Sequence, residues 1–557
     1  MDSNHSIDEK QRDQSGGLGV VVQWWADLWP LIILLGSFLA IFNFLIRSGT
    51  LPEEAYQQFW IATSLCASVG VLWLPILALS LFVLYRGNWN YHWSAVSESV
   101  AIRIFVTGIA MLLAWNYVLM DCNHYFAQWH LVDRVMLAGL VAMIWYSPLA
   151  VFPFCLILVA FQGQFHHPDN LLPHFWTEKN LAVRMLALFV GYHALVLCFG
   201  RRRWPFVYCL LLLLAAHYWP SGWSKVKLRW LLHNDLSLVS FSSYANGWQS
   251  WLSHEEIVTK SHQFRPFSVL ACVFTQVAET IVIFLVWRSR KDVLEQSTST
   301  QYLGNMIHRW RLPVILIMLM ALHIGIWQHS GICFLTWIVA ELLLLGYVWA
   351  LIRRDDSLLK FSTIQQVCFI ALVILGNRWC ESTRFSWFET RAGYAYRVEA
   401  LDESGDWKSV PAQVLAPYDF AFTWTVCNYL YPEKQLGYLK YGNVTNYIKA
   451  NEINALTSVE GFYALEQEKG LVSYDAKKAE QFKKFLATYF ANLNHSSKAM
   501  WLDKFQRPCE IVSSPRSDAY LGNGKVSRVR VQRVTAFYDG KEYFEPRVEQ
   551  LFEIDIK

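Results

Sequence analysis

Ten stretches of this 557-residue chain are apolar over a length sufficient to cross a lipid bilayer. A bilayer core about 30 Å thick is crossed by a helix of about 17 to 25 apolar residues. Backbone N–H and C=O groups in lipid need internal partners, which a helix provides. The pattern therefore predicts a polytopic α-helical membrane protein with about nine or ten transmembrane helices, near residues 30–47, 60–85, 101–120, 135–162, 181–200, 204–220, 267–288, 312–328, 331–352 and 362–378.

Lysine and arginine in the short loops predict the orientation of these helices, because cytoplasmic loops carry the excess of basic residues. Three basic loops occur: GRRRW at 200–204, WRSRKD and HRWR between 287 and 311, and IRRDD at 352–356. They fall at alternate turns of the predicted spans, which assigns all three to the cytoplasm. Lys225 and everything after about residue 379 are then expected on the outer side.

Composition divides the chain into three segments. Residues 1–28 are polar, residues 29–379 hold the predicted helices, and residues 380–557 have the texture of a water-exposed domain. In the last segment, YAYRVEAL and KVSRVRVQRVTAFYDGKEYF alternate with a period of two, and a DG pair marks a turn, which predicts β-hairpins. DAKKAEQFKKFLATYFANL has helical spacing. We expect a β-rich, extracytoplasmic α+β domain that is large enough for its own core.

Charge and motifs argue against several common functions. The net charge of +4 gives no case for nucleic acid, which would need a concentrated basic face. The chain holds no glycine-rich nucleotide motif, no G-x-S-x-G and no H-E-x-x-H. His166, His167 and His174 flank a proline at spacings that fit no helical ligand set. We expect neither a nucleic-acid partner nor a metal.

Polar residues inside the apolar spans are candidates for a functional site. They are costly in lipid, so they are expected to face the bundle interior or a cavity. Such residues also join helices through hydrogen bonds, so none is diagnostic alone. The candidates are His193, His217, Gln276, Glu279, His323 and Glu341.

Lys225 is distinguished by its context, because HYWPSGWSK joins an apolar helix, a proline, a glycine and a lysine. Pro220 is expected to end or bend the helix, and Gly222 to permit a turn. Lys225 is then either an interfacial lysine that extends to water beside Trp219 and Trp223, or a lysine desolvated enough to act as a neutral base.

Several segments resemble one family in the same order. YWPSGWSK, ending in Lys225, resembles the aromatic-x-x-x-Gly-x-x-Lys segment of the vitamin K-dependent γ-glutamyl carboxylases and of the wider HTTM membrane family that contains them. QVAETIVIFL around Glu279 resembles that family's next helix, and ALHIGIWQHSGICFLTWIV, with His323, the helix pair that follows. RFSWFETR and VRVQRVTAFYDGKEYFEPRVEQ are similar to strands of the carboxylases' outer domain. The resemblance spans roughly residues 100 to 550.

The resemblance implies a membrane enzyme that uses reduced vitamin K or a related quinol, O₂ and CO₂. Lys225 would be the base that deprotonates the quinol. Oxygen then adds, a γ-proton leaves a peptide glutamate, CO₂ traps the carbanion, and the quinone leaves as its epoxide. The implied partners are membrane lipid with its quinone and a glutamate-containing polypeptide.

One motif of the carboxylases is displaced in this chain. They carry Asp-Ala-Asn-His-Tyr-aromatic on the helix before the lysine helix, where its Asn and His assist the quinone chemistry. Here DCNHYF, residues 121–126, lies two spans earlier and, in the predicted topology, on the cytoplasmic side opposite Lys225. His193 and His217 replace it by position. The expected quinone site also includes His323, Glu279 and Trp223.

Two other functions stay open. One is a divergent quinone-linked membrane oxidoreductase without carboxylation, which the displaced motif favours. The other is a non-enzymatic membrane protein whose outer domain binds a partner. The N-terminus lacks the basic region and cleavage site of a secretory signal. This is compatible with a bacterial inner (plasma) membrane, with the endoplasmic reticulum membrane as the alternative.

Overall fold

The computed structural model describes a helical bundle followed by a C-terminal domain built on a β-sheet. The residues it describes are 18–49, 51–69, 93, 100–118, 123–167, 181–199, 205–249, 251–287, 298–354, 359, 361–380, 386–411, 414–415, 427–437, 439, 444–495, 519–520, 522 and 524–557.

Helices make up the bundle. In chain order they are α1 (Leu18–Gly49), α2 (Glu53–Tyr56), α3 (Ile61–Val69), α4 (Val100–Val118), α5 (Leu131–Tyr146), α6 (Val151–Gly163), α7 (Leu181–Phe199), α8 (Phe206–Lys227), α9 (Trp230–His233), α10 (Val239–Ala245), α11 (His254–Phe264), α12 (Ser268–Thr280), α13 (Thr298–Ser330), α14 (Leu335–Arg354), α15 (Thr363–Ile374) and α16 (Gly376–Trp379). Helix α1 packs on α6 and α7, α4 on α5 and α14, and α8 on α12 and α15.

Five helical segments among the described residues are long and apolar enough to cross a membrane: Leu28–Arg47, Phe206–Lys227, His254–Phe284, Trp310–Ser330 and Leu335–Arg354. Shorter apolar helices occupy Val100–Asn116, Pro148–Gly163, Leu181–Val196 and Thr363–Ile374. Most of the window at 60–85 lies outside the described residues. The mostly helical fold with a C-terminal sheet is confirmed, and the count of nine or ten transmembrane helices stays a prediction.

The expected single span at 135–162 is wrong, because two helices occupy this stretch. Helix α5 ends at Tyr146, a 3₁₀ turn covers Pro148–Ala150, and α6 begins at Val151. Proline restricts the residue before it to extended backbone, and Ser147 has φ −138° and ψ 124°. The two helices pack against each other as a hairpin, which brings the rings of Phe126 and His167 to 6.0 Å.

The Pro-Ser-Gly turn expected before Lys225 is also wrong. Helix α8 continues through Pro220 to Lys227. Proline removes the hydrogen bond that the carbonyl of Ala216 would accept, and neighbouring helices make such a loss tolerable. A Cβ on Gly376 would lie 2.9 Å from that carbonyl oxygen. Helix α16 therefore lies so close to α8 that residue 376 has room for glycine alone.

The C-terminal domain holds an antiparallel sheet in the order β2 (Trp407–Ser409), β1 (Ala392–Leu401), β5 (Arg528–Tyr538), β6 (Tyr543–Asp555). A small second sheet pairs β3 (Lys434–Gln435) with β4 (Leu471–Val472). Three helices of eight or more residues complete the domain: α17 (Tyr447–Asn454), α18 (Val459–Lys469) and α19 (Ala476–His495). The predicted hairpin at Asp539–Gly540 and the predicted helix at 475–493 are both confirmed.

The C-terminal domain covers one end of the bundle, which we call the domain end. Trp230 Nε1 donates to the carbonyl of Trp387 at 2.7 Å, and the hydroxyls of Ser224 and Ser386 lie 2.7 Å apart. Asn492 of α19 donates to the carbonyl of His124 at 2.8 Å. His124 therefore lies at the same end as Lys225. The predicted topology placed it at the opposite end, because it took the α5–α6 hairpin for one span.

Candidate active site

The last three turns of α8 present polar side chains at helical spacing. Tyr218, Ser221 and Lys225 are separated by three and four residues, which puts them on one face of a helix. That face points inward: Lys225 is only 4% exposed and His217 3%. Of the two alternatives for Lys225, the interfacial lysine that extends to water is wrong.

Lys225 forms a buried ion pair with Glu279 of α12. Its Nζ lies 2.7 Å from both carboxylate oxygens of Glu279 and 3.2 Å from the hydroxyl oxygen of Ser221. The ring of Trp230 lies 5.5 Å from the same nitrogen. Burying one charge alone is very costly, whereas a hydrogen-bonded pair of opposite charges compensates much of that cost. Lys225 is therefore desolvated, as the second alternative requires, and it has an ion-pair partner in Glu279. Its role as a base stays a prediction.

A second hydrogen-bonded cluster lies beside this pair. The hydroxyl of Tyr218 donates to Glu341 of α14, and it lies 3.3 Å from Nε2 of His323. The other ring nitrogen of His323, Nδ1, lies 3.2 Å from the second carboxylate oxygen of Glu341. Four helices, α8, α12, α13 and α14, thus each bring polar groups to one region of the bundle.

A cavity of about 280 Å³ opens beside these groups. Lys225, Glu279, His217 and His323 line its bundle side. Apolar and aromatic residues, including Phe274, Ile326 and Trp337, line most of the remaining wall. Ligand sites commonly combine an apolar wall with a few polar groups, so this cavity is the candidate site.

Two residues of the C-terminal domain, Trp387 and Glu389, also line the cavity, and Glu389 brings a second carboxyl group to it. Glu389 is 1% exposed, and its carboxyl accepts from Trp387 Nε1 at 2.7 Å and from the Ser242 hydroxyl at 3.2 Å. Its backbone N–H donates to Asn234 Oδ1 at 2.8 Å. Burial, with a smaller contribution from the charge of Asp235, raises the pKa of Glu389 to about 7, although the hydrogen bonds from Trp387 and Ser242 lower it.

Sequence analysis missed Glu389 and the role of Gly222. Glu389 lies in RFSWFETR, a segment whose resemblance to the carboxylases rests on its aromatic residues. Nothing in the sequence distinguishes Glu389 from the other acidic residues of the domain. Gly222 was expected to form a turn. It instead permits close helix packing, because a Cβ there would lie 2.9 Å from Cβ of Glu279.

Two of the predicted site residues lie away from the cavity. Trp223 is 44% exposed and stacks on Trp219 with ring centroids 5.9 Å apart. His193 lies on α7, where its ring stacks on Phe189 at 6.0 Å. Lys225, His217, Glu279 and His323 all line the cavity, and their catalytic and quinone-binding roles stay predictions. His124 of the DCNHYF segment packs on Tyr489 of the C-terminal domain, with ring centroids 5.3 Å apart, and does not line the cavity.

Comparison with known proteins gives no relative: no family model, no curated protein and no solved structure matches this chain.

The Lys225–Glu279 pair can move a proton from one of its groups to the other without changing the net charge of the pair. A proton can lie on Lys225 Nζ or on Glu279 and remain hydrogen-bonded to the other group in both states. If the pair takes a proton from a bound hydroxyl group, its net charge rises by one while that of the bound molecule falls by one. Such charge compensation favours proton transfer in a site with little water.

Proposed function

We propose that this protein is a membrane enzyme that resembles the vitamin K-dependent γ-glutamyl carboxylases. It would couple epoxidation of a hydroquinone by O₂ to carboxylation of a peptide glutamate by CO₂. The observation that carries the proposal is the position of the Lys225–Glu279 pair. It lies on a largely apolar cavity that Trp387 and Glu389 of the C-terminal domain also line.

The bundle side of the cavity suits the quinol. A fused aromatic ring is apolar on its faces and carries hydroxyl groups at its edge. Trp337 and Phe334 offer aromatic contacts, while Lys225 and Glu279 offer hydrogen bonds to one hydroxyl. The quinol supplies the reducing equivalents with which O₂ yields the epoxide and water.

The Lys225–Glu279 pair would accept the hydroxyl proton. In the ionised pair the carboxylate of Glu279 is the free base, and the Lys225 ammonium lies where it stabilises the aryl oxide that forms. Transfer of the lysine proton to Glu279 makes Lys225 itself the base, as the family resemblance implies. Both routes require the two side chains to remain in contact, so Gly222 and Ser221 act as positioning residues.

The contribution of the C-terminal domain suits a polypeptide. Trp387 and Glu389 line the cavity and belong to a domain outside the bundle, from which a peptide side chain would enter. With a pKa of about 7, the Glu389 carboxyl donates a hydrogen bond when protonated and accepts one when ionised. It would therefore bind a substrate carboxyl group in a pH-dependent way.

The membrane location is part of the same proposal. Exposed apolar side chains such as Met111, Val269, Ile317 and Val367 cover the outside of the bundle, where lipid would contact them. Arg353 and Arg354 end α14 at the end of the bundle away from the C-terminal domain. By the positive-inside rule, that end would lie in the cytoplasm and the C-terminal domain outside it. A bacterial plasma membrane fits this arrangement, with the endoplasmic reticulum membrane as the alternative.

A second function, quinol oxidation without carboxylation, is favoured by one observation. His124, which corresponds by motif to the assisting histidine of the carboxylases, is absent from the cavity wall. An enzyme that oxidises the quinol without carboxylating a peptide would need only the Lys225–Glu279 pair.

Product analysis separates these functions. Purified protein in lipid nanodiscs is supplied with reduced vitamin K, O₂, ¹⁴C-bicarbonate and a glutamate-rich peptide. Epoxide together with ¹⁴C in the peptide supports the carboxylase. Epoxide without ¹⁴C supports the quinol oxidase, and neither product, with no quinol binding, contradicts both. Glu279→Gln is expected to lower epoxide formation at least about a hundredfold, within the range for a positioned acid-base group.

A further inference from the structure

A second cavity, polar and of about 140 Å³, lies where α11 and α12 meet the C-terminal sheet. Arg265 and His262 reach it from the bundle, and Arg391, Asn454 and Tyr538 from the C-terminal domain. A single water needs only about 10 to 15 Å³ of such a cavity, so this space accommodates a tetrahedral oxyanion. The lining is rich in donors, which an anion requires.

Three charged side chains line this cavity: the guanidinium groups of Arg265 and Arg391 and the carboxylate of Asp235. Oδ1 of Asp235 already accepts from the Ser237 backbone N–H at 3.0 Å and from the hydroxyls of Ser237 and Ser268 at 2.7 and 2.8 Å. Arg265 has no ion pair among the described residues. A guanidinium group matches phosphate oxygens in a bidentate geometry, whereas a lysine acts as a point charge.

An exposed apolar stripe begins directly below the arginine. Residues 254–284 form one long helical segment, in which His262, Arg265, Val269, Val273 and Val277 follow one another at spacings of three or four. Val269 is 67% exposed, and Val273 and Val277 are each 40% exposed. A lipid chain lying along these valines would bring its headgroup to Arg265.

We propose that this cavity binds the phosphate diester of an anionic phospholipid, with the acyl chains along the Val269–Val277 stripe. A phosphate diester carries one negative charge and two unesterified oxygens, which match the guanidinium group of Arg265 in a bidentate geometry. The site joins α11 and α12 to the C-terminal domain, so a bound lipid fastens the two. It is separate from the Lys225–Glu279 cavity and does not depend on the proposed reaction.

One further carboxylate lies near the site but does not line it. Asp539 follows Tyr538 and keeps its negative charge, and its Oδ1 accepts from the backbone N–H groups of Lys541 and Glu542 at 2.7 and 2.8 Å. The hydroxyl of Tyr538 lies 3.1 Å from Nε2 of His262 and donates to the Gly540 carbonyl, so this histidine nitrogen is the donor of the two. His262 is thereby held at the rim of the cavity.

Lipid binding is tested on the full-length protein, purified in detergent and stripped of lipid. Phosphatidylglycerol, phosphatidylcholine and inorganic phosphate are added separately, and binding is measured by native mass spectrometry and by the shift in Tm. We expect phosphatidylglycerol to bind more tightly than phosphatidylcholine and to raise Tm. Arg265→Gln should weaken its binding about tenfold, the loss of one charged hydrogen bond. Lys227→Gln, an interfacial cation outside the cavity, should bind it like the wild type.

The two sources of phosphate give different outcomes. Val269→Asn should weaken phosphatidylglycerol binding and leave inorganic phosphate unaffected if a lipid is the ligand. Arg265-dependent binding of inorganic phosphate with no added affinity for lipid would replace the lipid by the free anion and overturn the acyl-chain part of the proposal. Equal affinity of Arg265→Gln and wild type for phosphatidylglycerol and phosphate overturns the site. Because Arg265 is exposed, we expect this variant to fold, and its Tm without lipid checks this.

Discussion

Gly222 and Glu279 face each other so closely that a Cβ on the glycine would lie 2.9 Å from Cβ of the glutamate and 3.1 Å from its carbonyl carbon. The neighbouring contact with Thr280 would be equally short, at 2.8 Å. The Cβ and the carbonyl carbon of Glu279 are held in place by the backbone of α12. The separation of α8 and α12, and with it the Lys225–Glu279 pair, therefore depends on the absence of a side chain at residue 222.

We predict that Gly222→Ala forces α8 and α12 apart. Overpacking of this kind costs about 1 to 3 kcal/mol of unfolding free energy. Thermal unfolding in detergent measures the change. Gly346→Ala is the matched control, because a Cβ at Gly346 has no neighbour within 4 Å, and we expect it to be neutral or slightly stabilising. Equal stability of both variants would show that the two helices are not in close contact.

We predict that Lys225 and Glu279 are strongly coupled in their contributions to the unfolding free energy. Lys225→Met leaves the Glu279 carboxylate buried without its cation, and Glu279→Gln leaves the ammonium without its anion. Each single change should cost about 3 to 5 kcal/mol, whereas the double variant should cost clearly less than their sum. A double-mutant cycle on thermal unfolding measures the coupling. Additive effects would mean that the two charges do not meet.

Glu389 predicts a pH dependence of stability. Burial raises its pKa from the ordinary 4.5 to about 7, so the folded state keeps a proton that the unfolded state releases. The contribution of Glu389 to stability is therefore complete below about pH 4.5, falls as pH rises to about 7, and is constant above that. Over this window wild type should lose up to about 3 kcal/mol relative to Glu389→Gln. Parallel pH profiles for the two proteins would contradict the raised pKa.

We predict a smaller loss of unfolding free energy when the hydrogen-bonded cluster of Tyr218, His323 and Glu341 is disrupted. Tyr218→Phe removes the hydroxyl group that donates to Glu341. Among the described residues, His323 is then the hydrogen-bond partner that the Glu341 carboxylate keeps. The loss should be about 1 to 3 kcal/mol, the cost of an unsatisfied buried acceptor. Tyr146→Phe, at a residue 71% exposed, serves as the control and should change little. Unfolding temperatures of the two variants make the comparison.

The fold was predictable where local pattern decides it. Apolar length places the helices, and strict alternation with the Asp539–Gly540 turn places β5 and β6, because these signals depend on neighbouring residues alone. The break at Ser147–Pro148 was missed because both sides are apolar, and a run of 28 residues admits either one tilted helix or two short ones. That one break decides at which end His124 lies.

The candidate site was predictable only in part. Lys225, Glu279, His217 and His323 are polar residues in apolar spans, and the cost of burying them indicates that they face one interior. Pairing requires distances between helices, which sequence does not contain, so the ion pair with Glu279 was not expected. Trp223 was misplaced because helix α8 continues beyond Pro220, which rotates this side chain to the outer surface. Glu389 comes from a different domain and carries no local signal.

Chemical rescue of Lys225→Ala tests the central claim most directly. Epoxide formation from reduced vitamin K and O₂ is measured for wild type, Lys225→Ala and the control Lys227→Ala, with and without added primary amines. We predict activity in wild type and Lys227→Ala, its loss in Lys225→Ala, and partial recovery with small amines that enter the cavity left by the side chain. Full activity of Lys225→Ala without amine would contradict a role for this lysine in proton transfer.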